Sequence, residues 1–293
     1  MTANQTTILI VGGTGLIGAR TAQLLLAQGH RVRALVREPA RAQALAASGA
    51  ELFTGDLADP ATFAPAFDGV GSALLVSSLV PEQVALQGNF VEAARRAGQP
   101  HIVKVSGFLT ASDSAARSGR WHAQTEQAIV DAGLPWTFLR PPFFMQNLFH
   151  TKPHAIASGE LSIPVQHGAV AMIDAHDVAS AAAACLIDPK HAGMAYTLTG
   201  PEALTMPQLA QRLGDHTGRP VRFITRSIAQ TRAALESAGT PAWRIALVQE
   251  FYEGFERGAG AEVNDLVQQL TGTAAHTIEA FLDADDTRAF WQS

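Results

Sequence analysis

Cysteine is almost absent from this 293-residue chain: Cys185 is the single one, so no intrachain disulfide and no cysteine metal cluster can form. Residues 181–184 are all alanine and Leu186 follows the thiol. Such neighbours mark a buried helix face, where cysteine is an inert apolar group rather than a nucleophile. Charge is scarce as well. Only 16% of residues are Asp, Glu, Lys or Arg, and the formal net charge of -5 leaves no basic footprint for nucleic acid or an anionic membrane. Residues 1–7 are polar and uncharged in their side chains, without the basic and apolar parts of a signal peptide. The longest small-apolar run, 178–187, falls well short of the roughly 20 residues of a membrane span. We therefore expect a soluble, cytoplasmic protein with small-molecule or protein partners, no nucleic acid and no membrane, a homodimer being left open. What the chain does have is apolar content, 47% of residues, enough for a sizeable core.

The rest is organised around residues 8–18, Ile-Leu-Ile-Val-Gly-Gly-Thr-Gly-Leu-Ile-Gly. β-prone residues run into Gly12, Gly15 and Gly18, spaced by three, and then into a helical composition over 19–28. In a strand, tight turn and helix of this kind, one glycine permits the turn and one lets the backbone approach a pyrophosphate. The third lets the helix pack on the strand. The phosphates then meet unpaired N–H groups at a positive helix end. A bare glycine triplet could be a structural turn; here both flanks match a dinucleotide site.

Strand and helix alternate onward. Strands are predicted at 30–36, 51–54, 73–76, 101–105 and 136–140, and helices at 40–48, 60–67, 81–97 and 115–131. That alternation is what a Rossmann-like, doubly wound parallel sheet produces. The pattern breaks at Pro141 and Pro142, which precede an apolar cluster of Phe143, Phe144, Met145, Leu148 and Phe149. Short strands near 161–163 and 170–173 follow, then a helix over 178–187 with Asp174 and Asp177 placed as N-caps. A strand at 194–199, a helix at 206–217 stopped by Gly218, a strand at 221–224 and mostly helix from 227 complete the chain. We expect an α/β fold: a nucleotide-binding domain over 1–150 and a smaller, mostly helical substrate lobe over 151–293. Parts near 170–200 are expected to return to the Rossmann sheet.

Cofactor choice is read at the end of the second strand. A carboxylate there would bind the adenosine ribose and repel a 2′-phosphate; this chain has Arg37, whose fork matches a phosphate. NADPH is favoured over NADH, with Arg33 and Arg41 as helpers, although Glu38 next door opposes this and Arg37 could simply be solvated.

Several motifs together resemble the NmrA-like atypical short-chain dehydrogenase/reductases, a group that includes quinone, triphenylmethane-dye and azo-dye reductases. They are Gly-Gly-Thr-Gly-Leu-Ile-Gly at 12–18, Val-Arg-Glu-Pro at 36–39, Gly-Asp-Leu at 55–57, Leu-Arg-Pro-Pro at 139–142 and Thr-Gly-Pro-Glu-Ala-Leu-Thr at 199–205. The resemblance implies that Thr14, Leu16 and Ile17 join the glycines at the pyrophosphate and that Asp56 and Leu57 face the adenine. Ser77 and Ser78 would lie near the cofactor, Ser106 would hold the family's serine position, and Pro141, Pro142, Phe143 and Phe144 would border the nicotinamide. The chain departs from the wider group in its acid. Aligned on the helix that carries Glu126, the usual Tyr-x-x-x-Lys pair falls on Ser118 and His122, and neither Tyr196 nor Tyr252 has a lysine four residues later.

Alcohol oxidation by a tyrosine is thereby disfavoured, as is epimerase chemistry on nucleotide sugars. Hydride transfer to an electron-poor acceptor such as a quinone, an azo dye or a triphenylmethane cation needs less from side chains. His122 and Ser106 are the candidate catalytic residues, His122 as proton donor or hydrogen-bond donor to the acceptor oxygen. A contact of His122 with ribose or a loop is the plainer alternative. Phe108, Phe143, Phe144, Phe149 and Trp243 are the candidate aromatic walls for a flat acceptor. Trp243, Phe251 and Phe255, at four-residue spacing, fit a core stripe at least as well. His150 and His154 flank Pro153 without a carboxylate nearby, so no metal is assigned. His176 beside Asp177 fits a helix cap better than a catalytic dyad. The alternative from another class is a non-catalytic dinucleotide redox sensor that acts on a protein partner, which the missing tyrosine also permits.

Overall fold

The structure, a computed structural model, describes residues 6–148, 158–284 and 287. Strands β1 (Thr7–Val11), β2 (Val32–Val36), β3 (Glu51–Thr54), β4 (Val70–Leu75), β5 (His101–Val105) and β6 (Trp136–Leu139) are followed by the two-residue strands β7 (Glu160–Leu161) and β8 (Ala169–Val170). After them comes β9 (Met194–Tyr196). A seven-stranded sheet takes the order β3-β2-β1-β4-β5-β6-β9, and every pairing in it is parallel. Ile10 stands opposite Ala34 on β2 and Leu74 on β4, all fully buried. Strands covered on both faces need side chains that are apolar in continuous runs, and β1 buries every residue. Strand order reverses between β1 and β4, which makes the carboxyl edge of that pair the natural ligand crevice.

Helices α1 (Leu16–Ala27), α2 (Gln43–Ala47), α3 (Pro60–Phe63), α4 (Gln83–Arg96) and α5 (Arg117–Asp131) carry the chain between the first six strands. Helix α1 starts three residues before the predicted 19, because the glycine turn leads directly into it. Each of the predicted helices 40–48 and 60–67 divides into a short α-helix and a 3-10 turn, at Pro39–Ala42 and Ala64–Phe67. Proline sits at the first turn of both 3-10 pieces, where its missing N–H costs least. Strand β4 starts earlier than predicted, at Val70, by pairing Val70 with Thr7 and Ser72 with Ile8 across an irregularity.

The chain forms two compact units. The first comprises Met1–Asp113, Ser118–Arg140 and His176–Thr197 and contains the seven-stranded sheet. Within it α6 (Ala175–Ile187), entering this unit at His176, is rich in alanine and lies against α1, Thr21 Oγ1 donating to the Ala179 carbonyl at 3.3 Å. The second unit comprises Ser114–Arg117, Pro141–Ala175 and Leu198–Ser293. It holds two small pairings, β8 with β10 (Leu204–Thr205) and β7 with β11 (Arg222–Phe223). Its helices are α7 (Met206–Thr217), α8 (Ile228–Ser237), α9 (Ala242–Glu256), α10 (Leu266–Thr271) and α11 (Ile278–Asp283). Thr205 and Gln208 close a capping box on α7, and Gly218 ends that helix in the left-handed conformation. Among the described residues no helix is long and apolar enough to cross a membrane.

Candidate active site

The β1–α1 turn is shaped by the absence of side chains. Gly12 has φ of +79°, and a Cβ there would sit 2.4 Å from the Val76 carbonyl oxygen. A Cβ on Gly18 would come within 2.3 Å of the Gly12 carbonyl oxygen, so helix and turn touch backbone to backbone. Gly15 donates to the Gly12 carbonyl at 2.9 Å and serves as N-cap of α1 without any side-chain cap. No acidic residue occupies the first turn of α1, while Thr14, Gly15 and Leu16 are exposed and Ile17 and Gly18 are buried. First-turn N–H groups left without side-chain acceptors are a receptor for an anion. These residues fit a dinucleotide pyrophosphate.

Around the turn, the carboxyl ends of β2 and β3 carry the predicted adenosine residues. Arg37 is exposed, and among the described residues its guanidinium has no ion-pair or hydrogen-bond partner. Arg33 is different. It lies inside β2, ion-paired with Glu51 at 2.9 Å and donating to the carbonyls of Ala66 and Asp68 at 2.7 and 2.8 Å. It is committed to the sheet and not free to help a phosphate. Arg41 is exposed and 3.8 Å from Glu38. Asp56 accepts from the Ala58 N–H at 2.9 Å, which shapes the loop after β3, and the Leu57 carbonyl accepts from Asn89 at 2.8 Å.

A second cluster lies past the carboxyl ends of β4 and β5. Its centre is Lys104, on β5 and fully buried. The lysine Nζ donates to Ser106 Oγ at 3.0 Å and stands 2.9 Å from Nδ1 of His122 on α5. From α4, Gln83 places Nε2 3.2 Å from the same Nδ1, and Gln87 donates to Ser77 Oγ at 2.8 Å. Both glutamines are buried and their Oε1 atoms have no partner among the described residues. The Cδ2–Nε2 edge of His122 lies against Gly107, where a Cβ would be 3.4 Å from Cδ2. Ser118, the other residue aligned with the missing pair, is buried, and Ser78 is exposed. Beneath the cluster the buried carboxylate of Glu126 is gripped by Arg140 through Nε at 3.2 Å and through Nη2.

Electrostatics follows from that burial. Loss of water brings the Lys104 ammonium down to about 7, against the attraction of Glu126 and with the repulsion of Arg140. Burial, reinforced by Lys104, pushes the His122 imidazole well below its usual range. The ring is therefore neutral near pH 7, and whatever proton it presents is an N–H of the uncharged form.

Sequence reasoning missed Lys104, Gln83 and Gln87. A signal existed for the lysine: a cation inside the apolar run His-Ile-Val-Lys-Val of a strand buried on both faces needs dedicated partners.

Most of the remaining predicted residues lie in the second unit or outside the described residues. Pro141 and Pro142 are buried; Phe143 is half-buried and meets Phe255 edge-on, with centroids 5.5 Å apart. Phe144 bridges to Ile173, and Trp243 is half-buried on α9. Phe255 is fully packed and stacks on Phe251, the arrangement of a core stripe. Phe108, in the first unit, is half-buried after β5. Phe149, His150 and His154 lie outside the described residues. Among the described residues no group of three or more His, Cys, Asp or Glu could hold a metal. Cys185 is fully buried, and burial pushes its thiol up to about 12.

The pattern of the NmrA-like family matches residues 4–271. An NAD(P)H azoreductase from Xenophilus azovorans is 37% identical over 277 residues, covering 94% of this chain and 97% of that one. The crystal structure of an Escherichia coli NADPH-dependent quinone oxidoreductase in complex with NADPH superposes with a TM-score of 0.86 at 30% identity, over 94% of this chain and 98% of that one. The Citrobacter sp. triphenylmethane reductase complexed with NADP(H) gives 0.82 at 27% identity, over 93% and 98%. The chain belongs to the NmrA-like family.

Proposed function

We propose that this NmrA-like chain is an NAD(P)H-dependent oxidoreductase that reduces a quinone or a related conjugated aromatic, azo and triphenylmethane dyes included, with NADPH as preferred donor. Its main support is the β1–α1 turn, where Gly12 and Gly18 leave space for backbone alone and the helix N-terminus has no side-chain acceptor. The names of the relatives point the same way. When bound, the cofactor supplies the hydride. The chain's own residues are assigned as follows. Gly12, Thr14, Gly15, Leu16, Ile17 and Gly18 hold the pyrophosphate, and Arg37 takes the 2′-phosphate. Asp56 and Leu57 border the adenine, while Ser77, Ser78 and Ser106 serve the nicotinamide end with Pro141, Pro142 and Phe143. His122 offers an N–H to the oxygen that becomes an oxyanion as the acceptor is reduced. Phe108, Phe143, Phe144, Phe149 and Trp243 are the aromatic residues proposed to act on the acceptor, with 151–293 supplying most of the substrate lobe. The partner class is a small aromatic molecule, the compartment the cytoplasm and the assembly a homodimer.

The test follows NADPH oxidation spectrophotometrically against a panel of quinones, azo dyes and triphenylmethane dyes, with NADH in parallel. Consumption that depends on acceptor and is faster with NADPH is the expected result. Tight binding of NADPH without turnover of any acceptor would replace the reductase by a dinucleotide sensor; absence of binding would remove both.

A further inference from the structure

We propose that Lys104 is the positioning residue for His122: its Nζ–H bond to Nδ1 holds the imidazole in the tautomer that carries hydrogen on Nε2, and the same bond returns a proton to the ring when Nε2 gives one up. This inference rests on the reductase reading for its role in turnover, though not for the tautomer itself.

The geometry leaves little choice. An ammonium has three donors and no acceptor, so while Lys104 is protonated its Nζ, 2.9 Å from Nδ1, requires a lone pair there. The Gln83 amide nitrogen, 3.2 Å from the same atom, is a second donor aimed at it. The proton of the neutral ring then belongs on Nε2. That edge lies beside Gly107, just past β5 and Ser106. Burial keeps the ring from taking a second proton, while it brings the lysine near the point where it can yield one at neutral pH.

The step balances. As the acceptor is reduced, its oxyanion takes hydrogen from Nε2: the N–H bond breaks and an O–H bond forms. Nδ1 accepts a proton from Nζ, and Lys104 is left as an amine whose lone pair faces the new Nδ1–H. The oxyanion and the ammonium are both neutralised, so the imidazole never bears a charge. Water restores the ammonium through Ser106 Oγ, which is 3.0 Å from Nζ and, as a hydroxyl, can accept from the ammonium and donate to the amine. Gln83 suits both tautomers. Its Oε1 is buried and unpartnered among the described residues, and turning the amide offers an acceptor to Nδ1–H. In this arrangement a buried strand lysine takes over the part of the missing Tyr-x-x-x-Lys pair that concerns the proton.

The decisive experiment is nitrogen NMR on the free protein with 15N-labelled histidine, His122 being assigned by comparison with His122→Gln. A ring protonated on Nε2 and bare on Nδ1 is expected at pH 5 to 6, where Lys104 is an ammonium, and Lys104→Met should abolish that preference. The same variant should lower kcat for quinone reduction about 10- to 100-fold, with the Kd for NADPH and the acceptor KM unchanged, and should reduce the solvent isotope effect on proton transfer. A wild-type ring that carries hydrogen on Nδ1, or on both nitrogens, at pH 5 to 6 overturns the inference whether or not Lys104→Met folds. So does a folded Lys104→Met with wild-type kcat. Because the spectrum needs no cofactor, either result is distinct from a failure to oxidise NADPH, which would count against the reductase reading.

Discussion

The β1–α1 turn and the cluster around Lys104 lie at the carboxyl edge of the same sheet, yet they are made of opposite material. The turn works by what it omits: Gly12, Gly15 and Gly18 bring backbone groups together and leave N–H donors open. The cluster works by what it encloses, a buried lysine and two buried glutamines on β5 and α4 around a half-buried histidine on α5. A backbone site is local in sequence and insensitive to which side chains flank it. A buried polar site is assembled across the fold and fails if one partner is left unpaired. The first suits a ligand part common to many reactions, and the second suits the chemistry of one.

That contrast predicts that the turn will tolerate no bulk while the cluster will be sensitive to charge. Gly18→Val should have the largest effect. Its Cβ would meet the Gly12 carbonyl oxygen at 2.3 Å, a backbone atom that cannot swing away, so α1 must shift. Calorimetry should show NADPH affinity reduced at least about 100-fold, a loss of roughly 2.7 kcal/mol, together with a lower Tm. Gly15→Ala separates the two contributions, because its Cβ meets only the Gly12 oxygen, at 3.3 Å. Binding should fall while Tm stays near wild type. If Gly15→Ala binds NADPH normally, the open helix end is not the phosphate receptor.

The cluster should reveal itself in the pH dependence of stability. Lys104 is brought from 10.5 to about 7 in the folded protein, so between those pH values the unfolded chain binds more protons at this site than the folded one. Stability from this group therefore rises with pH across that window: the penalty of a buried ammonium is complete below about 7 and is relieved above it. Lys104→Met has no such group. Denaturant melts should show wild type gaining on the variant by about 2 to 3 kcal/mol between pH 7 and 9. Parallel curves for the two proteins would mean that the lysine is solvated.

Glu126→Gln asks whether the support beneath the cluster depends on charge. It leaves the Arg140 guanidinium without its carboxylate, and the side chain of Arg140 is 29% exposed, so water recovers part of the loss. We expect about 2 kcal/mol of destabilisation by thermal melt, below the 3 to 5 kcal/mol of a fully buried broken pair. NADPH binding should be retained, since the turn is local to residues 12–18.

These effects also separate what could be read in advance from what could not. Strand β3 and helix α7 have their predicted limits because the signals that end them, Gly55 and Gly218, are adjacent in sequence. The glycine turn was legible for the same reason. Strand β4 was predicted short because Gly71 and Ser72 are poor strand formers, and pairing with β1 overrides that preference. Lys104 was passed over because its partners, Gln83, Ser106 and His122, come together only through the order of the sheet and the packing of two helices. His122 was singled out by alignment, and burial lowers its imidazole so that the ring is neutral near pH 7, which sequence alone does not reveal.

The smallest effect is expected at two arginines, one within β2 and one just past its end, that have different fates. Arg33 pairs across to Glu51 on β3, donates to two carbonyls and is occupied by the fold. Arg37, just past the end of β2, has no partner among the described residues and is exposed; it is the residue proposed to take the 2′-phosphate. Exposure limits the gain from that pairing, because salt and water screen an ion pair at the surface. Arg37→Glu should therefore weaken NADPH about tenfold, roughly 1.4 kcal/mol, and leave NADH nearly unchanged, with no shift in Tm. Arg33→Ala should do the reverse, lowering Tm through the lost contacts to Glu51, Ala66 and Asp68 without changing the ratio of the two affinities. Calorimetry with both cofactors, repeated at high salt, decides between them: if Arg37→Glu weakens NADPH and NADH equally, the guanidinium is reading the pyrophosphate or nothing at all, and the preference for NADPH must come from another part of the turn.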